Sequence, residues 1–231
     1  QQADLSGAGG ELVRFIIHEL PYERPLLAGR LRYERDGLPT GAVESWRVTN
    51  AVDGYRFLRV DLDAREAESG RSSLFHVTLN PVGRPEQLKF RLWGNGPEAS
   101  GSVVWHQGEI ISARQVDGVA YQDVAKGEAF WFPAGAGLAL LSLCVGEPRG
   151  VTMATAAEPA ELMKLVETPV AIALGEAASE EVAGELLVVR PLQVNWKDQS
   201  RTVWIDPEGR PLRLRRDDGL TAVAERLVRY G

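Results

Sequence analysis

The chain has 231 residues, 44% hydrophobic and 25% charged, with a formal net charge of −6 and a pI near 5.3. That length is one large domain or two small ones. The apolar content excludes wholesale disorder, and the acidity argues against a nucleic-acid footprint. The longest nearly apolar run, Gly135 to Gly146, falls short of the roughly 20 residues of a membrane helix and contains Ser142.

Taken in chain order, residues 1–10, with Gly7, Gly9 and Gly10, read as a flexible lead into a single β-rich domain over 11–231. Turn signals then recur at short intervals: Asp36-Gly37, Asp53-Gly54, Asn95-Gly96, Gln107-Gly108, Asp117-Gly118, Asp206-Pro207-Glu208-Gly209 and Asp218-Gly219. Between them the apolar residues alternate with charge. Leu58, Val60 and Leu62 oppose Arg59 and Asp61; Leu88, Phe90 and Leu92 oppose Lys89 and Arg91; Leu212 and Leu214 oppose Arg213 and Arg215. Period two with charge on one side predicts half-buried antiparallel strands. Ser73–Asn80 and Glu185–Arg190 are apolar on both faces and predict central or covered strands.

Helix signals are few. Glu158-Pro159 followed by Ala160 to Val166 is the best helix, closed by Pro169 beyond its end. Gly137 to Val145 fits a buried helix or strand equally, and the Ala- and Glu-rich stretch Gly175–Gly184 reads as a loop or short exposed helix. The expected fold is mainly β: roughly a dozen strands in a large curved antiparallel sheet, a half-barrel, wrapping one or two short helices. Gly146-Glu147-Pro148-Arg149-Gly150 is a weak boundary between halves that share one sheet.

The chemical motifs are absent one by one. No lysine precedes Ser or Thr, so there is no phosphate-binding P-loop, and no serine stands in the GxSxG pattern. His18-Glu19 begins like a zinc-protease helix, but Tyr22 holds the second ligand position and Pro21 breaks the helix. Counted from Asp61, the acidic stretch through Glu68 puts Glu66 and Ser72 where a calcium loop needs Gly and Glu. Cys144 is the one cysteine and sits in an apolar run, so neither a disulfide nor a cysteine-based zinc cluster can form within the chain. His76 and His106 lie in separate strand-like runs, and their spacing does not indicate a metal site. No cofactor, metal or catalytic residue is assigned. The start at Gln1, without Met, reads as trimmed or processed.

Six tryptophans are the positive signal, with Phe130-Trp131-Phe132 locally dense. Aromatics line cores and ligand pockets alike. Tyr55, Phe57, Phe90, Trp105, Trp131 and Trp204 are the expected lining of an apolar pocket.

The early meander Leu26–His106, the passage Phe130-Trp131-Phe132-Pro133 into Gly137–Val145, and the closing hairpin Val203 to Arg213 carry a resemblance in organisation. The chain resembles bacterial antiparallel half-barrel proteins, among them periplasmic lipoprotein carriers and glycolipid-binding candidates. The resemblance implies a meander around a helical plug with an apolar groove, and it brings no shared catalytic residues. The expected function is non-catalytic binding of an apolar or amphipathic, lipid-like ligand, with a periplasmic or other extracytoplasmic setting favoured. The alternatives are an enzyme of unfamiliar type using His76 or His106, and an interaction module that pairs a sheet edge with a partner strand.

Overall fold

The computed structural model describes residues 19–68, 70–127, 130–133, 153–156, 171–196 and 199–231. The first eight strands form a meander: β1 (Arg24–Arg35), β2 (Leu38–Asn50), β3 (Arg56–Asp63), β4 (Arg71–Leu79), β5 (Pro85–Gly94), β6 (Ala99–His106), β7 (Glu109–Val116) and β8 (Val119–Lys126). Then come β9 (Phe130–Pro133), β10 (Met153–Ala156), β11 (Ala171–Leu174), β12 (Ala178–Val182) and β13 (Glu185–Trp196). The chain closes with β14 (Gln199–Ile205), β15 (Pro211–Arg216) and β16 (Leu220–Arg229). One antiparallel sheet runs in the order β11-β13-β14-β15-β16-β1-β2-β3-β4-β5-β6-β7-β8, with β12 added on β13; β9 and β10 pair separately, in parallel.

Two-residue loops set much of this register. Asp36-Gly37, Gln107-Gly108 and Asp117-Gly118 have φ of 53° and 76°, 50° and 76°, and 47° and 81°. Positive φ at both positions is the hairpin turn whose twist matches the flanking strands, and glycine takes its second place without strain. The β14–β15 hairpin is clasped by a side chain. Asp206 accepts hydrogen bonds from the Glu208 amide (3.0 Å), the Arg210 amide (2.9 Å) and Arg210 Nε (2.5 Å), and both side chains are buried.

Paired residues in an antiparallel ladder share a face, so the register gives the core directly. Val48, Leu58, Val77, Leu88 and Val103 form one row across β2 to β6; Trp46, Val60, Phe75 and Phe90 form the next. Leu58, Val60, Phe75, Val77, Leu88 and Val103 have no exposed surface. Each such side chain contributes roughly 1.5–3 kcal/mol by leaving water.

The expected short helices are not found among the described residues. Among the described residues the only helical element is the 3-10 turn Val52–Gly54. Half of Gly175–Gly184 is strand, Ala178–Val182, because Ala183-Gly184 (φ 51° and 82°) folds β12 back onto Glu185–Val189. The candidates at 159–166 and 137–145, like Cys144 and the lead 1–10, lie outside the described residues. Glu185–Arg190 is not central: its first five residues pair with β12 in a hairpin that leaves Leu186 77% and Val188 49% exposed, while Val182 packs on the core.

Candidate functional site: a groove on the face opposite the core

Because β16 pairs with β1, strands from the two ends of the chain lie side by side in mid-sheet. Their outward residues continue across the meander in two rows. One row is Val228, Ala28, Arg47, Arg59, His76 and Lys89; the next is Arg226, Arg30, Ser45, Asp61, Leu74 and Arg91. A groove of about 520 Å³ lies over the β16–β4 part of these rows, lined by Ala28, Leu74, Val228 and Tyr230 on its apolar side and by Arg30, Arg47, Arg59 and Arg226 among its charged groups. Glu19 and Asp61 also reach it.

The segment before β1 is anchored on this face. Glu23 receives two hydrogen bonds from Arg59 (Nη1 2.7 Å, Nη2 2.8 Å) and one from Thr49 Oγ1 (2.6 Å), and its other contact is the Leu20 amide (2.9 Å). Burial alone would raise the Glu23 carboxyl, but these donors outweigh it and hold it at about 2, against the usual 4.5. Four residues earlier, Glu19 pairs with Arg47 Nε at 2.5 Å, and the Arg47 guanidinium lies 5.7 Å from the centre of the Tyr230 ring. Beyond Arg59, His76 tilts against Phe57 with ring centres 5.1 Å apart. Its burial, reinforced by the Arg59 charge, pushes it down to about 4 from 6.5, so it is neutral at pH 7.

The six aromatics expected at a pocket are divided by strand parity. Phe90 and Trp105 pack on the core face. Phe57 lies on the opposite face, beside His76 and Arg59. Trp204 is on that opposite face too, under the Arg213 and Arg215 guanidinium groups at 4.2 and 5.6 Å. Tyr55 precedes β3, with its hydroxyl at the Glu86 carboxylate. Trp131 is in β9, and its side chain lies outside the described residues. The parity of Phe57 was already readable, since it alternates with Arg59 and against Leu58; the same holds for Trp204 between Val203 and Ile205.

The histidines do not meet. His76 is across β5 from β6 in the row of Lys89 and Ser102, four residues along from His106. Among the described residues, no three His, Cys, Asp or Glu side chains converge as metal ligands. Nor is any described helix long and apolar enough to cross a membrane. The groove sets guanidinium donors beside apolar surface.

No family model matches the chain, and no curated protein matches it. Solved structures do. A β-barrel-like protein of a domain of unknown function from Brucella abortus superposes over 89% of this chain and 96% of its own, with a TM-score of 0.57 and 10% identity. The two chains share a fold. The resemblance to bacterial β half-barrel proteins therefore holds at the level of the fold. A lipoprotein candidate from Parabacteroides distasonis aligns over the same shares of the two chains, with a TM-score of 0.33 and 8% identity.

Proposed function

We propose that this chain is a non-catalytic binding domain that takes an apolar or amphipathic, lipid-like molecule against its sheet. The groove across β16, β1, β2 and β3 carries this reading. At about 520 Å³ it is in the range of small-molecule sites, roughly 300–1,000 Å³, and it sets apolar side chains next to fixed cations. An apolar tail on Ala28, Leu74 and Val228 gains the usual transfer free energy, roughly 25 cal/mol per Å² removed from water. Phe90 and Trp105, on the core face, enter the proposal only where a ligand extends past the sheet to that side. An extracytoplasmic setting belongs to the same reading and rests on the resemblance to periplasmic carriers.

Native mass spectrometry of the protein purified gently from its own host, followed by solvent extraction, tests the function. A co-purifying lipid that rebinds the stripped protein supports it. A stripped protein that binds no amphiphile in any rebinding trial overturns it.

A further inference from the structure

The sheet face under the groove is basic in a chain whose net charge is −6. Its two rows present Arg226, Arg30, Arg47, Arg59, Arg91 and Lys89 against the single acid Asp61. The carboxylates that neutralise part of it come from outside those rows. Glu19 and Glu23 descend from the segment before β1, and Glu225 reaches Arg30 from beside Arg226. Glu23 occupies both terminal nitrogens of Arg59, which is spent on that pair. Arg47 and Arg30 are different: each approaches its acid with Nε, at 2.5 and 3.3 Å, and their side chains stay 41% and 53% exposed. Arg226 is exposed and makes no ion pair among the described residues. Among the described residues, the terminal guanidinium nitrogens of Arg30, Arg47 and Arg226 donate no hydrogen bond within the chain.

We propose that these three arginines recognise an anionic head group, a carboxylate or phosphate, carried on an alkyl chain that lies along Ala28, Val228 and Leu74. This rests on the amphipathic-ligand reading above and adds the head-group class to it. A guanidinium fork matches both anions in geometry and pairs with them through charge-assisted hydrogen bonds. Glu19 on Arg47 and Glu23 on Arg59 show this face already holding carboxylates of the chain itself. A bound anion takes the Nη positions beside Glu19 on Arg47 without displacing the buried Glu23 pair.

Calorimetric titration of the full chain with dodecyl phosphate, dodecyl maltoside and inorganic phosphate, each amphiphile below its micelle-forming range, tests the assignment. Dodecyl phosphate is expected to bind at least about tenfold tighter than dodecyl maltoside, the worth of one charge-assisted hydrogen bond. Arg30→Gln combined with Arg226→Gln is expected to remove that advantage, bringing the affinity for dodecyl phosphate down to that for the maltoside. Both positions are exposed, so the variant keeps its circular dichroism and urea midpoint. Equal affinity for the two amphiphiles, or a variant that binds dodecyl phosphate as tightly as the parent, overturns the head-group assignment while the binding function stands. Failure of both amphiphiles to bind overturns the function and the assignment together. Inorganic phosphate binding as tightly as dodecyl phosphate overturns the alkyl-chain part and leaves a free-anion site at the same arginines.

Discussion

Acid should lower the stability of this protein over two pH windows, one set by His76 and one by Glu23. The His76 imidazole is held at about 4 in the folded chain, against 6.5 when free. The unfolded chain therefore binds the proton first, and stability falls as pH drops from 6.5 to about 4. The Glu23 carboxyl is held at about 2, against 4.5 when free, so its contribution is complete above pH 4.5 and is lost as pH falls toward 2. Linkage converts each pH unit of such a window to about 1.4 kcal/mol; solvent near the Glu23 pair screens part of it and leaves about 1–3 kcal/mol. Urea unfolding followed by circular dichroism from pH 7 to 3 reads both limbs. Glu23→Gln should cost about 3 kcal/mol at pH 7, because Arg59 stays buried with its charge poorly paired, and should flatten the curve below pH 4.5. His76→Phe, seated against Phe57, should flatten only the limb between 6.5 and 4. If Glu23→Gln loses as much stability as the parent between pH 4.5 and 3, the reasoning about this pair is wrong.

Asp206→Ala should destabilise by about 3–5 kcal/mol in urea titration, since it strands the buried Arg210 and opens the β14–β15 hairpin. Gly29→Ala would place a Cβ 2.4 Å from the Trp46 indole, costing roughly 1–3 kcal/mol by overpacking; adding Trp46→Leu should recover part of that loss. Circular dichroism and tryptophan fluorescence should report one coincident urea transition, and limited proteolysis near residue 148 should release no separately folded half.

The strands of this fold were legible where a single residue pattern decides them. Alternation in β3, β5 and β15 named the buried residues Leu58, Val60, Leu88, Phe90 and Leu214, because side-chain period two is a local property of the chain. The site was not legible for two reasons. Arg59 alternates like a solvent-facing residue, yet it is only 7% exposed, since Glu23 from another segment covers it; the strand pattern carries no trace of that cover. The groove itself joins Ala28 and Arg30 to Val228 and Arg226 through pairing of the first and last strands, a non-local register that no local pattern encodes. The β12–β13 hairpin was missed because Ala183 at positive φ is a turn residue without the usual Asn or Asp signature.

The most direct test of the binding account is an amide NMR titration with a nitroxide-labelled fatty acid. The account predicts line broadening at Ala28, Ser45, Asp61 and Val228, the residues that carry the groove across β1, β2, β3 and β16. Broadening that spares these amides, or that spreads evenly over the sheet, would contradict it.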